Sequence, residues 1–275
     1  ALGTSSTYEL TSYFESDKYQ QTAANSGNPD PTTYAIGSNL SITPFIHGLV
    51  ADYAFDNPAS GVGAITTDSS GWGNNGTLED ATSTGTGPAQ TSTPNCVSGS
   101  CYSFDGVDDY VIASNSSTLS PQNFSIVSWL KWDGNRYSGS IGEDWAAIVS
   151  KGTYGSGEYT ILMLRASGGT YTQFNFYING TLRTSWNMGT SLDSTNWHNL
   201  SAVYDGSNAY LYFDGTLRAS SPVSVSIATT TNALGVGSQA NGGYNWGGLL
   251  DNITLFNYGL KPSQIQAIYN AEKPQ

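Results

Sequence analysis

The residues able to do chemistry in this chain are mostly carboxylates. Its 275 residues carry 21 Asp and Glu against nine Lys and Arg, a formal charge of −12, with only two histidines. Acidic, Asp-rich loops offer the hard oxygen ligands that Ca²⁺ prefers, and they repel phosphate backbones. Calcium is therefore the metal to expect, and nucleic acid is not expected as a partner. The signatures of common enzymes are missing: there is no His-Glu-x-x-His, no Gly-x-Ser-x-Gly and no phosphate-cradling Gly-x-x-x-x-Gly-Lys. His198 sits within a strand pattern beside Trp197, which suits a structural imidazole. Glu143 and Asp144 are adjacent and would point to opposite faces of a strand, and Glu158 stands alone, so no pair of carboxylates is set for glycoside hydrolysis. The expectation is a protein that is not an enzyme.

Cys96 and Cys101 are the only cysteines. With no other thiol available and too little His for a zinc site, they are expected to form a disulfide, which points to an oxidising compartment. Seven Asn-x-Ser/Thr sequons occur, at Asn39, Asn75, Asn115, Asn123, Asn179, Asn199 and Asn252. Their number is near the roughly five that so Asn-, Ser- and Thr-rich a chain yields by chance. Asn179, in Ile178-Asn179-Gly180-Thr181, and Asn75, in a Gly-rich loop, are the best placed for glycosylation. Charged residues make up only 11% of the chain, well under the roughly 25% of an average soluble domain. Polarity comes from Ser, Thr, Asn, Gln and Tyr instead. The chain starts at Ala1, shows no basic-then-apolar leader and has no run of the ~20 apolar residues that span a bilayer. A processed, exported protein at the cell surface, without a membrane span, is the expectation.

Strands must position these residues. Trp197 to Gly215 reads as two period-two strands, each ending at an Asp-Gly turn, which supplies the positive φ of a tight hairpin. Further strands are expected over 49–55, 102–104, 110–113, 124–132, 145–150, 159–165, 172–178, 182–186 and 249–256. Short strands at regular spacing, punctuated by Gly, Asp and Asn, predict an antiparallel sandwich or jelly roll. Lys261 to Asn270 places Ile265, Ile268 and Tyr269 at helical spacing, with Pro262 suited to a first turn, so a short C-terminal helix follows. Residues 1–47 differ: they are Ser/Thr/Tyr-rich and hold two candidate strands, one with Tyr8, Leu10 and Phe14, the other with Tyr34, Ile36, Leu40 and Ile42. The predicted organisation is an N-terminal β extension over 1–47 and a jelly-roll domain over 48–275.

Three segments carry a family resemblance: Leu49 to Asp56, the loop Asp68-Ser69-Ser70-Gly71-Trp72-Gly73-Asn74-Asn75-Gly76-Thr77, and Ser103-Phe104-Asp105-Gly106-Val107-Asp108-Asp109-Tyr110-Val111. With the Trp197 to Gly215 hairpin and the Leu249 to Tyr269 ending, they resemble the laminin-G-like (concanavalin A-like lectin/glucanase) jelly roll over about residues 48–270. The resemblance implies an all-β, two-sheet antiparallel sandwich, usually extracellular, often binding Ca²⁺ at one rim and used for sugar binding, adhesion or assembly. Carried over to this chain, it implies Asp68, Asn74, Asp108 and Asp251 as calcium ligands; the competing reading is that Asp68 and Asn74 cap turns and Asp108 pairs locally. Jelly-roll glucanases of this kind place acids as Glu-x-Asp-x-x-Glu, which this chain lacks. Fold by itself decides little about function.

Sugar-binding sandwiches stack pyranose faces on aromatic rings, and this chain has seven Trp and 18 Tyr. Trp72, Tyr137, Trp145, Tyr244 and Trp246 lie in or beside Gly/Asn-rich loops and are the candidate glycan contacts. The unmatched N-terminal segment points elsewhere, because a polar, proline-containing extension is ordered only when docked. Tyr8, Leu10, Phe14, Tyr34, Ile36, Leu40 and Ile42 are therefore candidates for strand donation, either to their own sandwich edge or to the next subunit. Head-to-tail donation builds a fibre. The sequence-based expectation is a non-catalytic adhesive filament subunit that self-assembles. A calcium-dependent lectin-like module binding extracellular glycans comes next, and a glycoside hydrolase last.

Overall fold

The computed structural model describes residues 9–13, 33–37, 48–81, 85–134, 144–165 and 172–274. The strands in chain order are β1 (Glu9–Tyr13), β2 (Thr33–Gly37), β3 (Leu49–Tyr53), β4 (Ile65–Thr66), β5 (Gly76–Asp80), β6 (Ala89–Ser92), β7 (Ser100–Asp105), β8 (Asp109–Ala113) and β9 (Phe124–Trp132). After them come β10 (Asp144–Lys151), β11 (Tyr159–Arg165), β12 (Thr172–Ile178), β13 (Thr181–Asn187), β14 (His198–Tyr204), β15 (Asn208–Phe213), β16 (Thr216–Pro222), β17 (Leu234–Val236) and β18 (Gly247–Phe256), and then one helix, α1 (Pro262–Glu272). Contacts divide the chain into two compact units, Ala1–His47 and Gly48–Gln275.

In the first unit β1 and β2 form a two-stranded antiparallel sheet, with Leu10 opposite Ile36 and Ser12 opposite Tyr34. These strands, expected as separate donors, are thus paired with each other. Tyr8, Phe14, Leu40 and Ile42 lie outside the described residues.

The second unit is an antiparallel sandwich of two sheets. One sheet runs β13-β12-β11-β10-β17-β8-β5-β4; the other runs β16-β15-β14-β9-β18-β7-β6, with β3 also paired to β18. Period-two alternation explains the inner faces. Ile161 and Met163 of β11 and Phe174, Phe176 and Ile178 of β12 meet Phe124, Ile126 and Leu130 of β9 in one buried cluster. The Phe124 ring lies 4.7 Å from Tyr159 and 5.8 Å from Phe176, joining the two layers. Trp186 and Phe213, 5.1 Å apart, do the same at the other end.

Turn chemistry sets the register. Asn179-Gly180 between β12 and β13, and Asp214-Gly215 between β15 and β16, have positive φ at both residues (50° and 67°, 50° and 70°), the two-residue hairpin geometry these dipeptides favour. At the other Asp-Gly turn, Asp205 Oδ1 accepts from Ser207 N and Asn208 N. Strands β4, β5, β6, β16 and β17 escape the period-two reading because they are short, Gly-bearing or Ser-rich; β16, Thr-Leu-Arg-Ala-Ser-Ser-Pro, is an edge with little to bury.

Cys96 and Cys101 are joined as expected. The loop they close is held by carboxylates: Asp251 Oδ2 accepts from Val97 N and Ser98 N, and Asp56 Oδ1 accepts from Ser100 N. Helix α1 covers the outer face of β9. Tyr269 stacks on Trp129 at 5.8 Å, and Trp129 Nε1 donates to Glu272 Oε2 at 2.6 Å. No described helix is long and apolar enough to cross a membrane.

Burial first of all pushes the Asp251 and Glu272 carboxyls up to about 7. A carboxyl with a higher pKa folded than unfolded adds stability that is complete below its unfolded value and is lost as pH rises through its folded one. His198 acts in the same direction: burial opposes its charge, but hydrogen bonds to Asp214 and Asp193 outweigh that and raise it above its usual value. The thermal midpoint is expected to fall by several degrees between about pH 5 and about pH 8, and Asp251→Asn should flatten the slope. A midpoint that climbs over that interval would contradict this assignment.

Candidate functional site

The four residues implied as calcium ligands do not share a site. Asp68 organises the β4–β5 loop: Oδ1 accepts from Asp52 N and Ser70 N, and Oδ2 from Ser70 Oγ and Asn74 N. Asn74 donates through Nδ2 to Val50 O and Thr118 Oγ1. Asp68 caps its turn, in line with the competing reading, and Asn74 ties the same loop to β3 and to Thr118. Asp251 is buried against the disulfide loop and spends its carboxylate on three backbone N–H groups, those of Val97, Ser98 and Asn252. Asp108 alone belongs to a convergent oxygen cluster, with Asp105 and Asp109, whose ligand atoms lie within 4.8 Å of one another. Burial first, then the charges of Asp105, Asp108 and Asp80, push Asp109 up to about 6 against the help of the Asp105 N–H. Beside this turn, Asn245 donates through Nδ2 to Val107 O, and its Oδ1 is buried with no hydrogen-bond partner. Sequence spacing marked this turn but could not show that its partners were Asp105 and Asp109 rather than Asp68.

The aromatic candidates separate as sharply. Trp246 is fully buried in the core, a correction to its expected place at the rim: β18 starts one residue later and turns the indole inward. Trp72 is 60% exposed in the β4–β5 loop, its Nε1 pinned to Leu49 O. Tyr137 lies outside the described residues. Trp145 and Tyr244 do meet, with ring centroids 6.4 Å apart, and they are joined by two tyrosines that sequence reasoning passed over. Tyr154 lies 6.2 Å from Trp145, 6.2 Å from Tyr244 and 5.1 Å from Tyr177, the last two edge-on.

This group sits on the face of the sheet turned away from the core. Leu162 and Tyr177 alternate with the core residues Ile161, Phe176 and Ile178 and, with Ala147 and Trp145, form a separate apolar cluster. A β-bulge between Ala147 and Val149 sets the rings. It frees the Ala147 N–H to donate to Tyr244 O at 2.6 Å, and so docks the turn where Tyr244 adopts φ +57°. Tyr154 and Tyr244 remain 47% and 39% exposed. Opposite Leu162 in register stands Asn175; its Oδ1 accepts from Gln173 Nε2, while its Nδ2 is buried without a partner. Burial, then the neighbouring Tyr154 and Tyr244 hydroxyls, push Tyr177 up to about 12, so it stays a neutral phenol. A surplus of apolar residues on the solvent side of β10–β12 was the available signal for Tyr177, whereas Tyr154, alone in a Gly-rich turn, had none.

His198 is structural: Nδ1 faces Asp214 Oδ2 and Nε2 faces Asp193 Oδ2, each at 2.9 Å, and the ring stacks on Phe213 at 4.8 Å. Among the sequons, Asn75, Asn115 and Asn123 are exposed, and Asn252 is half-buried. Asn179 uses its amide to bridge to Ser226 O and Ala228 N. Asn199 is 1% exposed and cannot carry a glycan in the folded state, because β14 lies inside its sheet. Asn39 lies outside the described residues.

Two sheets, a C-terminal helix over β9 and a rim of acidic turns define a concanavalin A-like sandwich. A laminin G family model, described as the concanavalin A-like lectin/glucanases superfamily, matches residues 105–266, more than half of the chain, and the chain belongs to that family. No curated protein sequence matches it. Among solved structures it is similar to domain 4 of AbnA, a GH43 extracellular arabinanase from Geobacillus stearothermophilus, in complex with arabinotriose. That match has a TM-score of 0.55 and 17% identity and covers 80% of this chain and 98% of that one. The receptor binding domain of botulinum neurotoxin mosaic serotype C/D matches at TM-score 0.58 and 14% identity, with coverage of 83% and 52%. Trypanosoma rangeli sialidase matches at TM-score 0.56 and 15% identity, with coverage of 92% and 36%. The chain thus spans about half of the toxin domain and about a third of the sialidase. At these identities the likeness is one of fold.

Proposed function

We propose that this chain is a non-catalytic extracellular carbohydrate-binding module that holds a glycan on the outer face of β10–β12. The observation that carries this reading is the group Trp145, Tyr154 and Tyr244, which leaves rings open to solvent over a buried apolar strip. Sugar rings present flat C–H faces that pack on aromatic rings, and their hydroxyls need fixed donors beside those rings. Asn175, opposite Leu162 on the same face, keeps a buried Nδ2 without a partner beneath this surface. The arabinanase domain, 98% of which is covered by the match, has a structure with arabinotriose bound, which supports the same class of ligand here. Export is supported by the disulfide. The non-catalytic part is supported by the engagement of Asp68 and Asp251 in structural hydrogen bonds.

Calcium is assigned to the Asp105–Asp109 turn. Three carboxylates within 4.8 Å and the unsatisfied Asn245 Oδ1 beside them supply hard oxygen donors. An ion there would offset the crowding that raises Asp109 and would brace the start of β8.

The strand-donation role of Tyr8, Leu10, Tyr34 and Ile36 keeps one observation in its favour. A two-stranded sheet such as β1–β2 is marginal in water by itself and gains from a third strand. Supplied by a second copy, that strand would link subunits into the adhesive filament expected from the sequence.

Glycan-array binding by the full chain is expected to weaken by about tenfold in Trp145→Ala and in Tyr154→Ala, roughly 1.4 kcal/mol per ring, while Trp246→Phe acts through stability alone. Equal binding by all three variants, or release of free sugar by the wild type, would defeat this reading. Calcium should raise the melting midpoint of the wild type but leave Asp108→Asn unmoved; an indifferent wild type removes the ion from the account. Deleting residues 1–47 should abolish assemblies seen by light scattering, and polymers of undiminished mass argue against donation.

A further inference from the structure

Lys151 ends β10 with its side chain completely buried, next to the equally buried Glu158. Residues Ala113, Leu234 and Lys151 form one row across β8, β17 and β10. The segments flanking that row, Asn115 after β8 and Asn232 before β17, therefore close around the amine. Nζ donates to Asn115 Oδ1 at 2.6 Å and to the Asn232 carbonyl, and lies 3.9 Å from Glu158 Oε1. Since a C=O bond is about 1.2 Å long, the Asn115 Cγ is no more than about 3.8 Å from Nζ, close to attack distance.

The surroundings suit an uncharged amine. Burial lowers the Lys151 pKa, with the Glu158 charge opposing, and a neutral lysine is a nucleophile. Glu158 Oε1 is fixed by Thr230 N and Oγ1, and its Oε2 is buried with no hydrogen-bond partner, which leaves it open to a proton. Asn115 itself is exposed, so a small leaving group has a way out.

We propose that Lys151 and Asn115 become joined by an intramolecular isopeptide bond, with Glu158 as the proton carrier. The ion pair neutralises by transfer of one proton from Nζ to Glu158. The Nζ lone pair then attacks Asn115 Cγ. Collapse of the tetrahedral species breaks the Cγ–Nδ2 bond, while Glu158 gives its proton to the leaving nitrogen and recovers one from Nζ. One amine and one primary amide become one secondary amide and ammonia, with no change of oxidation state. The product ties β10 to β8 across β17 and removes a buried charge pair.

The test is the intact mass of the full-length chain, made in a host without N-glycosylation and measured after reduction of the disulfide. The wild type should fall about 17 Da below its sequence mass, one ammonia, and digestion should yield a branched peptide joining Lys151 to Asn115. Asn115→Ala, at an exposed position, and Glu158→Gln should each restore the full sequence mass. A wild type at sequence mass after prolonged incubation overturns the proposal. So does a deficit confined to one linear peptide, as a cyclised asparagine would leave, or one that persists in Asn115→Ala.

Discussion

The structure depends on one dry layer between two sheets. Phe124 touches Tyr159 and Phe176 of the opposite sheet and Tyr204 of its own, so the central strand β9 is held across the sandwich by rings whose burial is worth about 1.5–3 kcal/mol apiece. The tight turns, the disulfide loop and the helix all attach to that layer from outside. Asp251, for example, sits in β18 with no solvent exposure, yet its carboxylate holds the disulfide loop over the sheet edge. Carboxylates in this chain mostly serve as acceptors for backbone N–H groups that irregular loops would otherwise leave unsatisfied.

That use of acids explains why the implied calcium ligands scattered. Asp68 accepts four hydrogen bonds in its own loop, and Asp251 accepts three from backbone N–H groups. In the Asp105–Asp109 turn the carboxylates accept amides of the turn and also converge on one another. Burial, and after it the neighbouring charges, raises Asp109.

A solvent-facing sheet surface ordinarily alternates to polar residues, yet β10–β12 carry apolar side chains on both faces. On the outer face the surplus is organised into a ring cluster by a single bulge, whose freed N–H anchors the Tyr244 turn. At the far end of the same strand, Lys151 and Glu158 place an amine and a carboxylate inside the fold, an arrangement that costs stability unless it is paired or chemically resolved. Strand β10 thus joins the candidate binding face to the candidate cross-link.

The amino-acid order by itself determined the class of fold. The strands expected over 124–132, 159–165 and 172–178 correspond to β9, β11 and β12 residue for residue, and the Asp-Gly and Asn-Gly pairs mark tight turns, because strand propensity and turn chemistry are both local. The lone cysteine pair and the helical spacing near the end were legible for the same reason. Tertiary structure decided everything that requires distant residues to meet. It turned Trp246 inward, brought Tyr154 and Tyr177 to Trp145 and Tyr244, gathered Asp108 with Asp105 and Asp109, paired β1 with β2, and closed Asn115 over Lys151. None of these follows from spacing along the chain, since sheet order and bulge position set which side chains share a face, and both are fixed by packing across the whole sandwich.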